Sequence, residues 1–391
     1  WEISTIKVVN RGTRNNPCTP ATVKLLRVRW NDSTLKNPLE ASKTAWPVAH
    51  KESIFLPEFP ITSDLLQKDF EIVKTIAKGA FGEVYKVKKL SENKEYALKV
   101  LNKSQIVSEN AVRQVKEEAR IQEAVGHHSF IAGAVSRWQT KKRLYIVLEY
   151  IPGGELLALI DKYGKLPEEL VKIFVAEIAI VIDFLHNAGV IYRDLKPENI
   201  LLDSDYHIQL VDFGLSKWLS IGARTTTLCG TLKYIAPEVV QRDPYNHAVD
   251  WWSLGVIACY MLTGELPLPA INIEKIQETQ SSTINTNITM NNSNNELQAN
   301  QATPGALPKS ANEISQGARA LLMRLLEKDP KVRLRSLRQL QQTAFYMGFN
   351  FENIKVKKML PKSILESYNL PTRSNTENEF IEFDQLAFMS L

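Results

Sequence analysis

The hydrophobic repeat of this chain changes period near residue 150, and that change confines it to few architectures. Residues 70–76, 82–88 and 94–100 read as three short strands with turns between them. Residues 111–125 put Val112, Val115, Ala119 and Ala124 at helical spacing. Residues 144–149 form a further strand, which Pro152-Gly153-Gly154 breaks. Beyond that point the signal is helical. Val171, Phe174, Val175, Ile178, Ile182 and Leu185 repeat along residues 168–185, and apolar helices follow at 250–262 and around 321–326. A strand-rich part followed by a helix-rich part predicts an α+β chain of two packed lobes.

Composition narrows the class further. Apolar residues make up 44% and charged residues 23% of the 391, which excludes a wholly disordered chain, a collagen or a coiled coil. The net charge of +5 is mild for this length and argues for no nucleic-acid or membrane-surface partner. Three cysteines, Cys18, Cys229 and Cys259, contain no CxxC pair. They argue against a disulfide framework or zinc site and point to a reducing, cytoplasmic setting, with entry to the nucleus left open. The apolar runs at 173–185 and 251–262 are too short for a membrane span. The chain opens on Trp1 rather than Met, so the true N-terminus is expected to be missing, and any targeting signal with it.

Chemistry concentrates in a few places. Ala77-Lys-Gly79-Ala-Phe81-Gly82-Glu-Val84 lies between two strands, where glycines let backbone amides approach a phosphate. Such hairpins are also ordinary turns. Lys99 follows on an apolar strand after Tyr96, Ala97 and Leu98, and a buried ammonium needs an anionic partner. Glu118, three residues beyond Val115 on the next helix, is one candidate and a nucleotide phosphate another. Asp194 and Asn199 sit five residues apart on a Pro-containing loop, and Asp212-Phe213-Gly214 ends the strand at 207–211. Acids and an amide converging from loops suit a hard cation such as magnesium, which takes few protein ligands beside phosphate oxygens. Each acid alone is an ordinary turn residue. Asp250, near a helix start, caps that helix or holds the loop of Arg193, and Arg333 is placed to pair with Glu238.

With these motifs in this order, residues from about 69 to 347 resemble a eukaryotic protein kinase domain. Tyr192-Arg193-Asp194, Leu228-Cys229-Gly230-Thr231 ahead of Ala236-Pro237-Glu238, and an aromatic tail are similar to the AGC group of Ser/Thr kinases, most of all its ribosomal protein S6 kinase-like branch. The resemblance implies a bilobal fold: an N-lobe with an antiparallel sheet and one main helix, and a mostly helical C-lobe. Residues 1–63 are then an extension of unassigned role holding at most a strand at 23–30, 64–150 the N-lobe, and 151–347 the C-lobe. An Asn-rich insertion at 271–303, too polar to fold on its own, interrupts the C-lobe, and 348–391 is a C-terminal tail.

By the same resemblance ATP binds between the lobes. The hairpin residues Ala77, Gly79, Phe81, Gly82 and Val84, with Ala97 and Leu201, enclose it. Its adenine meets the backbone near Glu149 and Ile151, with Leu148 as gatekeeper. Lys99, aligned by Glu118, holds the α- and β-phosphates, and Asn199 and Asp212 bind Mg2+. Asp194 accepts the proton of a substrate hydroxyl, Lys196 neutralises charge on the transferred group, and Thr231 positions both. Glu155 and Glu198 match acids that select an Arg three residues before the phosphoacceptor. Tyr260 and Lys233 stand where basophilic relatives carry acids, so a second basic preference is not expected, and Leu228 suggests an apolar residue just after the acceptor.

Thr227 occupies an activation-loop phosphorylation position, which implies an upstream kinase. A phosphate there adds about −1.5 to −2 charge, with Arg193 and Lys217 as its expected clamps. Phe380-Ile-Glu-Phe383-Asp384 resembles a hydrophobic motif whose two rings dock beside the Glu118 helix, although Phe380, Phe383 and Leu386 also fit a plain amphipathic stripe. Three departures stand out: Ala77 replaces the first loop glycine, Pro267-Leu268 replaces the usual Pro-Phe, and the insertion replaces or interrupts the following helix. Protein substrates and an active enzyme are the leading expectation. A pseudokinase scaffold, acting by binding and conformation, is the alternative.

Overall fold

The sheet that carries Lys99 begins as a meander: β1 (Phe70–Gly79), β2 (Gly82–Lys89) and β3 (Lys94–Asn102). Beyond β3 the chain forms α1 (Lys103–Ser108) and α2 (Val112–Val125), then returns as β4 (Ala134–Gln139) and β5 (Arg143–Glu149). The strand order is β1-β2-β3-β5-β4, with every neighbouring pair antiparallel. This computed structural model describes residues 52–61, 69–270 and 303–368, all within the compact unit Lys51–Leu391.

Alternation decides which face each side chain takes. Leu101 of β3 and Leu144 and Ile146 of β5 pack with Val115 and Ala119 of α2. Leu98 and Val100, with Tyr145 and Val147, build a separate cluster on the opposite face around Trp138. Lys99 shares the parity of Ala97 and Leu101 and so faces α2. The inward set of α2 differs from the expected one in one member: Ala124 is exposed, while Ile121 and Val125 enter the core of the second lobe. Helix α2 therefore touches both lobes.

The second lobe comprises α3 (Leu156–Tyr163), α4 (Glu168–Asn187), β6 (Val190–Ile191), β7 (Ile200–Leu202), β8 (Ile208–Leu210), β9 (Lys217–Trp218), α5 (Pro237–Val240), α6 (Ala248–Thr263), α7 (Gln316–Leu325), α8 (Leu337–Gln341), α9 (Phe351–Lys355) and α10 (Pro361–Ser367). Helices α4 and α6 are apolar nearly all round, as helices enclosed on every side must be. Glu177 is the buried carboxylate of α4, bonded by His207 Nδ1 and by the Ile208 backbone N–H at 3.0 Å. At Gly255 a side chain would press within 2.8 Å of Leu325 Cβ, so α6 and α7 pack backbone against side chain there.

Two stretches beyond the motif-bearing region are structured. Phe55 and Phe59, ahead of the expected boundary at residue 64, are fully buried in the first-lobe cluster. Phe351, Ile354 and Leu365, beyond residue 347, belong to the main core of the second lobe. The strand expected at 23–30, the Asn-rich residues 271–302, Cys18 and the tail from 369, with Phe380 and Phe383, lie outside the described residues. Cys229 and Cys259 are free thiols.

Candidate active site

Lys99 Nζ donates to Glu118 Oε1 at 2.7 Å and lies 3.7 Å from Asp212 Oδ1. Burial opposes its charge, but the two carboxylates outweigh burial and hold its pKa above the ordinary lysine value. The Lys99 charge in turn keeps Asp212 below the usual carboxylate range. The Asp212 side chain is 44% exposed and opens on the cleft. Its backbone has φ of 55°, in the left-handed region, and Oδ1 accepts from the Gly214 N–H at 3.2 Å. Phe213 beneath it is buried edge-to-face against Tyr192.

Asp194 is the hub of the facing cluster. Its Oδ1 accepts from the Thr231 hydroxyl at 2.8 Å and its Oδ2 from Asn199 Nδ2 at 2.9 Å. Lys196 Nζ lies 3.1 Å from Oδ2 and donates to Thr231 Oγ1 at 3.1 Å. Desolvation raises the Asp194 pKa, and the lysine and hydroxyl only partly offset it. The loop itself is bolted down by Asp250, fully buried in α6. That carboxylate accepts from the backbone N–H groups of Tyr192 at 3.0 Å and Arg193 at 2.8 Å, with His186 Nε2 also 2.8 Å away. Asp250 thus holds the Arg193 loop.

The hairpin lies above these groups. Ala77 sits within β1, paired with Val84 and outside the positive-φ residues, so its methyl meets no backbone penalty. Gly82 is obligatory for packing, because a Cβ there would come within 1.8 Å of the Val100 carbonyl oxygen. Gly79 pairs with Gly82 at the turn, and Phe81 tucks against the α2 cluster while its carbonyl accepts from Asn102 N at 2.8 Å. Val84 faces Lys99 across β2–β3, and Ala97 faces Leu148 across β3–β5. The Glu149 N–H bonds Gly133 O at 3.2 Å; Ile151 follows the strand, and Leu201 lies on β7 in the second lobe.

Glu155 bridges Leu201 at the cleft edge. Burial, with Glu198 nearby, raises its pKa, and burial likewise raises that of Glu198. Glu198 Oε2 is buried with no hydrogen-bond partner among the described residues. These acids stand apart from the Lys99 cluster.

The segment from Asp212 to Glu238 is tied at both ends. Arg333 is fully buried and grips Glu238 bidentately at 2.6 and 2.9 Å. Arg193 Nε donates to Leu215 O at 2.7 Å, and Lys217 Nζ donates to Thr225 Oγ1 at 3.3 Å. Thr227 is exposed, its hydroxyl 3.4 Å from that of Thr225 and its carbonyl held by the Tyr245 hydroxyl at 2.6 Å. Sequence reasoning missed Tyr245, as well as Gln114 and Glu117, which tie α2 to Gly214 O and Trp218 N at 2.9 and 3.1 Å. The helical phase could have shown that Gln114 and Glu117 neighbour Glu118. Nothing local marks Tyr245.

The donors Asp212 and Asn199 are hard oxygens, and the Asn199 amide nitrogen is spent on Asp194. Two such ligands, completed by phosphate and water, suit magnesium. Among the described residues no three His, Cys, Asp or Glu side chains form an all-protein metal cage, and no helix is long and apolar enough to cross a membrane.

Comparison with known proteins accounts for the arrangement. Residues 70–346 match the protein kinase domain. The chain is 36% identical to the human ribosomal protein S6 kinase-related protein over 87% of its own length and 77% of that protein's. It is 36% identical to a RAC family serine/threonine-protein kinase homolog of Dictyostelium discoideum over 76% of its length and 62% of the relative's. Rabbit protein kinase C zeta type is 33% identical over 82% of this chain, which spans about half of that longer protein. With its antiparallel sheet, its helical second lobe and these relatives, the chain belongs to the AGC group of serine/threonine protein kinases.

Proposed function

We propose that this chain transfers the γ-phosphoryl group of ATP, with Mg2+, to Ser or Thr hydroxyls of protein substrates that carry Arg three residues before the acceptor. One observation carries the reading. The Lys99–Glu118–Asp212 cluster faces the Asp194–Thr231–Lys196–Asn199 cluster, and the first suits a nucleotide's phosphates while the second suits an incoming hydroxyl. Asn199 and Asp212 would hold magnesium, which when bound would supply charge neutralisation at the phosphates.

The residues act by placement and electrostatics. Asp194 orients the acceptor hydroxyl and takes its proton. The hydroxyl oxygen bonds to the γ-phosphorus as the bond to the β–γ bridging oxygen breaks, and ADP leaves. Lys196, anchored by Thr231, balances charge on the moving group. Glu118 keeps Lys99 aimed at the phosphates. The buried, unpartnered oxygen of Glu198 beside Glu155 supports recognition of a substrate guanidinium, which would satisfy both acids. Thr227, exposed near Lys217 and Arg193, supports control by an upstream kinase.

The decisive assay uses labelled ATP, magnesium and an Arg-x-x-Ser peptide, beside Asp194→Ala and Asp212→Ala proteins. Transfer by the parent, lost in both variants, is the expected result. Equal background in all three would falsify the enzymatic reading. Replacing the peptide Arg by Ala should raise KM far more than it lowers kcat.

A further inference from the structure

Residues 52–61 carry none of the kinase motifs, yet they fill the groove behind α2. Phe55 and Phe59 are fully buried, their rings edge-to-face at 6.4 Å. They pack on Val115 and Ala119 of α2, Leu101 of β3 and Ile146 of β5.

Polar ties fix this strap on two sides. On the α2 side, Lys116 Nζ donates to Leu56 O at 2.7 Å and Ile54 O at 3.1 Å. Glu58, with its side chain only 3% exposed, lies 3.0 Å from Lys116 Nζ and accepts from Arg120 Nε at 2.6 Å. On the sheet side, Gln139 Nε2 donates to Glu52 O at 3.0 Å and Phe59 O at 2.6 Å. The Gln139 backbone N–H bonds Pro60 O at 2.9 Å, and Ile61 bridges Gln139 in parallel. The strap thus extends the edge strand β4 and clasps α2 from the side away from the cleft.

The residues it grips on α2, 115, 116, 119 and 120, bracket Glu118. On its other side the same helix makes the Lys99 pair and the Gly214 and Trp218 contacts. A helix loosened at the back loses its register with Lys99 at the front. We infer that residues 52–61 are the built-in positioning element of this active site, with Phe55, Phe59 and Glu58 seating α2 so that Glu118 meets Lys99. Glu58 carries its negative charge without any modification. Fewer than ten residues separate Ile61 from Phe70, so a displaced strap returns at a high effective concentration. Phe380 and Phe383, expected in a groove beside the Glu118 helix, lie outside the described residues; the groove behind α2 holds Phe55 and Phe59 of the strap. The inference rests on the kinase reading, and its test has a readout that does not.

The full chain carrying Phe55→Ala and Phe59→Ala, checked for a folded second lobe by its thermal transition, should lose at least tenfold in kcat with Arg-x-x-Ser peptide. A synthetic peptide of residues 50–62 added in trans should restore most of that loss, which a purely structural defect would not permit. Should the double variant fail to fold, Glu58→Arg provides the second arm: it should lose threefold or more, and Arg120→Glu in the same chain should recover it. Fluorescence anisotropy of the labelled peptide on the double variant reads the seat without catalysis, so silence of the parent enzyme would remove the kinase reading and leave this measurement standing. Parental turnover in a folded double variant, or absence of peptide binding, overturns the inference. So does rescue by a peptide of residues 377–387 without rescue by the strap peptide, which would return the groove to the tail.

Discussion

On the second-lobe wall of the cleft, the loop bearing Asp194 hangs from a fully buried carboxylate, Asp250, set in a helix that is itself enclosed. On the first-lobe wall, Glu118 sits on a helix whose back is closed by a ten-residue strap and whose own cluster is small. The second wall is over-determined: moving Asp194 means tearing buried polar bonds, each costing about 1–3 kcal/mol when one partner is left unsatisfied. The first wall is the more adjustable, because Glu118 is seated through a small apolar cluster and through polar ties to one short segment, residues 52–61, rather than through a carboxylate buried in an enclosed helix. On the proposed function, a base at Asp194 must stay put, while Lys99, holding phosphates, must admit and release nucleotide. The contrast therefore separates a fixed platform from a clamp.

The platform should break most severely at its centre. Asp194→Asn keeps the size and the bond to Thr231 but removes the proposed proton acceptor, so kcat should fall by about 10²–10⁴. Its amide nitrogen also replaces the oxygen that accepts from Asn199 and lies beside Lys196, so the melting temperature should fall as well. Because burial raises the Asp194 pKa, the acid limb of kcat in the parent should lie above the ordinary carboxylate value. Lys196 opposes that rise, so Lys196→Met should shift the limb to still higher pH. A limb that shifts lower would contradict the assigned coupling.

Next in size is the lower anchor. Glu238→Ala leaves the Arg333 guanidinium buried and uncompensated, at a cost of about 3–5 kcal/mol read from denaturant midpoints at constant m-value. Asp250→Ala should cost a comparable amount, about 1–3 kcal/mol for each of the two backbone N–H groups that lose their acceptor, and should lower kcat as well, since both lie beside Asp194. The folded-state pKa of Asp250 is lowered by His186 and those N–H groups despite burial. Its stabilisation is therefore present above the unfolded carboxylate pKa and lost as pH falls through the lower folded value. An Asp250→Ala protein should accordingly show a shallower acid limb of stability than the parent.

How much of this was legible follows the same divide. The platform is written in short contiguous stretches, Tyr192–Asn199 and Asp212–Gly214, whose residue types name their chemistry, and Glu238 with Arg333 could be paired at a distance of 95 residues. The two lobes followed from the change of hydrophobic period. The strap was illegible because residues 52–61 are too few to show a period, and their two rings mean nothing until the groove that receives them exists. Helices α9 and α10 were missed for the same reason: five and seven residues carry no amphipathic signal, and their burial is decided by α4. Phase alone turns Ala124 inward, whereas the larger Ile121 and Val125 take the buried positions.

The smallest predicted effects separate the two walls most cleanly, because the same kind of bond occurs in each. Ser315 caps α7, its hydroxyl oxygen accepting from the Ala318 N–H at 3.1 Å, and Asn102 caps α1, its carboxamide oxygen accepting from the Ser104 N–H at 3.0 Å. Either cap replaced by alanine should cost about 1 kcal/mol of stability. On the platform side the cost should end there: Ser315→Ala lowers the melting temperature by a few degrees and leaves kcat and KM for ATP where they were. On the clamp side Asn102 starts the helix whose Ile106 packs beside Phe55 in the α2 cluster; its backbone N–H bond to Phe81 O at 2.8 Å survives in the alanine variant, but the cap that sets the start of that helix does not. Asn102→Ala should therefore raise KM for ATP two- to threefold at unchanged kcat, with a stability loss no larger than that of Ser315→Ala. Equal KM values in the two variants would mean that the first lobe transmits no more to its nucleotide than the second, and the division between platform and clamp would fail.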